Sequence, residues 1–251
     1  MIGIGTLVNV ATIVAGSAIG VLLGSRLPEK TNRSVTDALG LLTLVLGGLN
    51  LASLGDKAFV SAAGVVGTFM IVIFAMLLGT ITGSLAGIES KLEAFGGVLQ
   101  RVLSRGRTTG TDAKARFITG YVDASLIFAI GPMAILGSIT DGIGHGPNTL
   151  IIKSILDGFA CIAFAASLGW GVAASSITVG IWQGFITLVA AFAGDFIPAS
   201  MIAAITATGG VLMLAISLRL LNLRQVAVAD MLPALAFAPL LTWLVSAVLG
   251  N

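Results

Sequence analysis

Eight apolar runs, each about as long as a bilayer is thick, constrain this chain more than anything else in it. A helix crossing the hydrocarbon core needs roughly 20 consecutive, mostly apolar residues. Runs of that kind cover approximately Gly3–Gly24, Val35–Leu54, Ala62–Leu85, Ile118–Ile139, Thr149–Leu168, Val172–Gly194, Met201–Leu221 and Leu232–Leu249. A soluble chain could bury such runs only beneath a charged surface, and only 10% of these residues are charged. Soluble domains average roughly 25%. The runs are continuous rather than alternating, which excludes a transmembrane β-barrel. The expected class is therefore an all-α polytopic membrane protein of about eight spans.

Three loops hold nearly all the basic residues. Arg26, Lys30 and Arg33 follow the first span. Arg101, Arg105, Arg107, Lys114 and Arg116 follow the third, and Arg219 and Arg224 close the seventh. With eight spans these loops fall on one side, which the positive-inside rule makes cytoplasmic. Both termini are then outside, in a bacterial cytoplasmic (inner) membrane. The first run lacks the basic n-region of a secretory signal and reads as a retained membrane helix. No basic stripe with interleaved aromatics exists, so nucleic acid is not an expected partner. The lone Cys161 reads as a small core hydrophobe.

The third loop begins "GIESKLEAFGGVLQRVLSR". Ile88, Leu92, Phe95, Leu99, Val102 and Leu103 fall near one helical face with charges opposite, which predicts an amphipathic helix on the cytoplasmic surface. A weak internal repeat flanks this loop. "VTDALGLLTLVLGGLNL" from Val35 resembles "ITATGGVLMLAISLRLLNL" from Ile205, and extending the match pairs Asn9 with Gln183. Spans one to three then correspond to spans six to eight. An odd offset of five spans gives the copies opposite orientation, a signature of secondary transporters. The chain is thus one membrane domain: a first repeat over 1–87, an amphipathic helix and linker over 88–116, central spans over 117–169, and a second repeat over 170–251.

Glycines recur at every fourth position in "GSAIGVLLG" (Gly16, Gly20, Gly24) and "GTITGSLAG" (Gly79, Gly83, Gly87), a pattern that permits close helix approach. The fourth span reads "FAIGPMAILGSITDGIGHGPN". Gly131 and Pro132 fall inside it, with Gly137 and Asp141 following. Proline removes an amide donor and clashes with the preceding turn, so this span should be broken or re-entrant. Freed backbone at membrane depth is tolerated only against protein or a water-lined cavity. His145, beyond it, reads as a surface histidine.

Charges inside the spans are the strongest functional signal. Lys153 and Asp157 stand four residues apart in the fifth span and share a helix face. Asp123 lies one span earlier, and Gln183 adds a polar group to the sixth. Intramembrane charges cost several kcal/mol and mark functional sites by default. A snorkelling lysine or a self-neutralising structural bridge is the competing reading, and Asn9 and Gln183 could serve as interhelical glue.

The motifs "GPMAILGSITDG", "KSILDGFACIAFAASLGWGV" and "WQG", with "GIESKLEAFG", Gly209-Gly210 and "LPAL" at Leu232, resemble the YqgA/YdfK-like bacterial integral membrane proteins, the domain-of-unknown-function 554 family. The resemblance covers nearly the whole chain. It implies an integral membrane protein and carries over no binding or catalytic residues.

The function expected from the residues is a small secondary transporter, or ion-coupled permease, working by alternating access. Asp157 and Asp123 would bind a proton, Na⁺ or a cationic group, and Lys153 would be the counter-charge. Gln183, Asn9 and the segment from Gly131 and Pro132 to Gly137 and Asp141 would complete the site. The expected partners are lipid and a small-molecule or ion substrate. No cofactor is expected beyond a coupling ion, H⁺ or Na⁺. A homo-oligomer, most simply a dimer, is expected from the glycine stripes. The alternatives are an ion channel and a non-transporting membrane scaffold. An enzyme is not expected. Asp123 and Asp157 could form a carboxylate dyad, but a cation one turn from Asp157 opposes the sharing of a proton.

Overall fold

The protein is described from a computed structural model over residues 2–24, 28–103, 110–130, 132–193 and 198–249. The described residues contain no strand, and the ordered elements are helices: α1 (Ile4–Gly24), α2 (Glu29–Leu51), α3 (Lys57–Ala86), α4 (Ile88–Leu103), α5 (Thr111–Ile130), α6 (Pro132–Gly142), α7 (Asn148–Leu168), α8 (Gly171–Ala193), α9 (Ala199–Leu220) and α10 (Ala234–Leu249). Seven are long and apolar enough to cross a membrane, or eight spans if α5 and α6 count as one. Those two helices are inclined by 60°, at the Gly-Pro step where a proline must interrupt the hydrogen-bond ladder. The chain is an all-α polytopic membrane protein.

The helices group into two compact units. The first comprises Met1–Leu39 and Ser90–Asp195. Its main packing is α1 on α7, and the first glycine stripe explains it. A β-carbon on Gly16, Gly20 or Gly24 would sit 2.4, 2.3 or 2.2 Å from the carbonyl oxygens of Gly158, Ile162 and Ala166. Only glycine lets the two backbones come so close. At α8 a β-carbon on Gly171 would meet the Phe117 carbonyl oxygen at 2.0 Å, and the Tyr121 hydroxyl lies 2.6 Å from Thr178 Oγ1, so α8 is fastened to α5. The amphipathic helix α4 turns Gly96 onto the Tyr121 ring and leaves Phe95, Val98 and Val102 outward.

The second unit comprises Gly40–Glu89 and Phe196–Asn251. Its core is Phe59, Ala63, Ile71, Ala75, Ala203, Ala204 and Ala238, from α3, α9 and α10. Asp56 caps α3 by accepting from the amides of Ala58 and Phe59. The second glycine stripe divides in two. Gly79 and Gly83 pack against Ala234 and Asp230, but Gly87 has φ +61° with nothing near its missing side chain. Gly87 is the left-handed C-cap of α3, so it belongs to the helix stop rather than to the packing stripe. In both units large apolar side chains such as Leu7, Phe159, Phe192, Val66 and Phe74 are exposed. That outer surface suits acyl chains.

Candidate functional site

The first unit holds a buried polar seam between α1, α7 and α8. Lys153 and Asp157, one turn apart on α7, form an ion pair, and both are buried. Lys153 Nζ also lies 5.9 Å from the centre of the Phe128 ring, which brings α5 to the site. A cation over a ring face at that range gains electrostatic attraction. Beside the ion pair, Asn9 Nδ2 donates to Gln183 Oε1 at 3.1 Å, and both residues are fully buried. Asn9 also interacts with the Asp157 carboxylate. The amide pair and the ion pair therefore form one network built from three helices.

Near the start of α1 the Asp141 carboxylate of α6 accepts from the Gly5 backbone amide at 3.1 Å. This amide is among the first-turn donors that a helix cannot satisfy itself. Gly137 of α6 packs against Leu150 of α7, where a β-carbon would sit 2.9 Å from the leucine side chain. Asp123 is buried on α5, five residues before Phe128. Pro132 is the first residue of α6. Gly131 lies outside the described residues, as do Arg26, Arg105 and Arg107. Of the residues expected from sequence, the fold thus joins Lys153, Asp157, Asn9 and Gln183, and sets Asp141 of α6 against the start of α1, the helix that carries Asn9. His145 is exposed in the loop after α6.

Several buried polar atoms along this seam have no partner among the described residues: Thr6 Oγ1, Asn9 Oδ1, Gln183 Nε2 and Thr187 Oγ1. Buried polar groups are paired in the great majority of cases, so a row of four makes this seam the candidate site. Toward the other end of α1, a cavity of about 790 Å³ opens among Val21, Phe117, Ala166, Trp170 and Ala174, with Arg116 and Gln100 as polar members of its wall.

A second charged cluster, in the other unit, was invisible in the sequence. Glu89 pairs with Arg219. Its second oxygen accepts from the Ala229 amide at 2.7 Å, and its own amide donates to Asp230 Oδ1 at 2.8 Å. Arg219 also donates to the Val226 carbonyl at 3.1 Å. The partners are 130 to 141 residues apart, and neither Glu89 nor Asp230 stands in a pattern that sequence spacing would single out. The only signal was that Arg219 ends an apolar span. No group of three or more His, Cys, Asp or Glu side chains converges anywhere among the described residues.

The chain is similar to "Uncharacterized protein YqgA" of Escherichia coli (strain K12), 31% identical over 94% of each chain. It is also similar to "Uncharacterized membrane protein YdfK" of Bacillus subtilis (strain 168), 26% identical over 97% of each chain. No solved structure matches it significantly. A family model covers residues 4–243, and the chain belongs to that family, described as "Protein of unknown function (DUF554)".

Proposed function

We propose that the protein is a small secondary transporter of the cytoplasmic membrane, with both termini outside, and that the α1–α7–α8 seam is its substrate site. The observation that carries this reading is the buried network of Lys153, Asp157, Asn9 and Gln183 inside helices that must cross a bilayer. Each charge at membrane depth costs about 2.5–3.5 kcal/mol on insertion scales. Packing alone would be served by apolar side chains, as along the Gly16–Gly20–Gly24 stripe of the same helix.

Two further features support it. The break between α5 and α6 is the kind of discontinuity that transporters place at a substrate site. The repeat expected from sequence has reciprocal contacts. Asn9 meets its counterpart Gln183 directly. Gly40 lies against Leu220 and Leu221, while Gly210 lies against Asn50 and Leu51. If Gly40 corresponds to Gly210 and no gap follows, Asn50 and Leu51 fall on Leu220 and Leu221, and the two contacts exchange under a two-fold axis, as an inverted repeat requires.

On this reading Asp157 holds Lys153 in the resting site, and a substrate with its own charge displaces one of them. Gln183 Nε2 supplies a donor to the bound molecule. The reading involves no covalent step, since Asp157 is committed to Lys153. The deciding experiment screens thermal unfolding of purified wild type against amino acids, organic acids and amines. A stabilising compound is then tested for uptake into proteoliposomes. Ligand at a hundred times its dissociation constant adds about 2.7 kcal/mol. The double variant Lys153→Met/Asp157→Leu should lose both responses. Saturable uptake that is unchanged in the double variant would remove the ion pair from the mechanism, and currents far above transporter turnover would make the protein a channel.

A further inference from the structure

We infer that Thr6, Asn9, Asp141 and Thr187 form a binding site for an alkali-metal cation at the outer part of the seam. The inference rests on the seam being the transport site, and it names the coupling ion and its ligands.

The placement follows from four contacts. Asn9 bonds Gln183, and Gly180 packs on Val10, where a β-carbon would sit 2.9 Å from the valine side chain. The numbers run in opposite directions, so α1 and α8 cross antiparallel. Thr6, three residues before Asn9, and Thr187, four after Gln183, are thereby set at the same level. The loop end of α6 closes that level from the third side: Asp141 bonds the Gly5 amide, and Gly142 lies against Thr187, where a β-carbon would meet the Thr187 carbonyl oxygen at 2.4 Å. Thr6, Asn9, Asp141 and Thr187 are all more than nine-tenths buried.

The donor set is chemically specific. Many helical hydroxyls of this protein bond to the carbonyl three or four residues back, Ser17 and Ser125 being exceptions beside the two threonines of this site. Thr12, Ser138, Ser154, Ser175, Thr208 and Thr242 all do so, at 2.6–3.1 Å. That is the default for a helical Ser or Thr. Thr6 and Thr187 depart from it and leave their oxygens unpartnered, as is the Asn9 amide oxygen. Three neutral oxygens and one carboxylate are hard ligands of the kind oxygen-seeking cations take. The charge also matches. Asp157 is neutralised by Lys153, whereas the Asp141 carboxylate accepts from a backbone amide, that of Gly5. One uncompensated negative charge calls for one positive charge, which favours a monovalent ion. A cation on Asn9 Oδ1 would polarise the same amide whose Nδ2 holds Gln183, and hydrogen bonds in such chains strengthen one another. Ion and substrate would then be coupled through a single side chain.

The test is thermal unfolding of the purified full chain in LiCl, NaCl, KCl and choline chloride at matched ionic strength, with isothermal titration of the ion that responds. At least one alkali ion should raise Tm in a saturable manner over choline. Thr187→Val keeps the side-chain volume and removes only the hydroxyl. It should weaken that ion at least tenfold while the protein still folds, and Asp141→Asn should abolish the response. The Lys153→Met/Asp157→Leu variant should keep it. A wild type that responds equally to choline, or a Thr187→Val protein that is merely more stable with an unchanged cation response, overturns the site. Because binding is read without flux, ion binding with no transport would sink the transporter reading alone. Transport in protein indifferent to every alkali ion would sink this inference alone.

Discussion

Two ion pairs among the described residues are largely shielded from solvent, and they are built in opposite ways. Glu89–Arg219 joins residues 130 positions apart, and backbone groups of the α9–α10 connection complete it: the Ala229 amide, the Val226 carbonyl, and Asp230 accepting from the Glu89 amide. Lys153–Asp157 needs no tertiary structure at all, since one turn of helix brings the two together. Its neighbours are side chains, and some of their polar atoms are unpartnered. A charge pair completed by backbone is committed to one arrangement. A pair beside unpartnered side-chain atoms retains alternatives. On the proposed function the first is a staple and the second a site, although both are an acid and a base shielded from solvent.

The largest effect that tests this contrast should come from Arg219→Ala. It leaves the largely shielded Glu89 without its cation and should cost about 3 kcal/mol, the low end for a fully buried pair, read as a fall in Tm in detergent. A loss below about 1 kcal/mol would mean that the backbone partners alone hold the corner. Next comes Gly83→Ala, whose β-carbon would sit 1.9 Å from the Asp230 carbonyl oxygen. Backbone must give way, so about 1–3 kcal/mol should be lost. Gly16→Ala, 2.4 Å from the Gly158 carbonyl oxygen and next to Asp157, should cost a similar amount, and should in addition change ligand response, which Gly83→Ala should not. The smallest effect on stability belongs to the double variant Lys153→Met/Asp157→Leu. Replacing a buried pair by apolar groups of similar volume is often neutral or better. Its Tm should stay within about 1 kcal/mol-equivalent of wild type or rise, while substrate response disappears. A large fall would make this pair a staple too.

What the sequence revealed follows the range of the interactions. Most span limits came within three residues of the helices, because an apolar run carries its own length, but α2, α3 and α5 begin five to seven residues earlier, in polar or loop-like sequence that the apolar run does not include. The Lys153–Asp157 pair was legible because helical spacing alone creates it. The repeat expected from sequence pairs Asn9 with Gln183, and the fold brings these two side chains into contact. Gly87 was misplaced, because a helix stop and a packing position look identical when glycines recur every fourth residue. The α4 pattern gave its apolar side, but the face resting on Tyr121 is Gly96, a residue that periodicity does not weigh. Thr6, Thr187 and the Glu89–Asp230 contact were missed for one reason. Their meaning comes from residues more than 130 positions away, and threonine in an apolar helix ordinarily satisfies itself.

The glycine stripe of α1 has a consequence in time. Its partner α7 begins at Asn148 and its other partner α8 at Gly171. At typical elongation rates of about 5–20 residues per second, α1 leaves the ribosome on the order of ten seconds before either surface exists. Through that interval its glycine face and the Asn9 amide meet lipid or the insertion machinery. α1 must therefore enter the bilayer on its own hydropathy and wait as a lone span, with its most polar side chain unmatched, until the chain has supplied the helix it was shaped to fit.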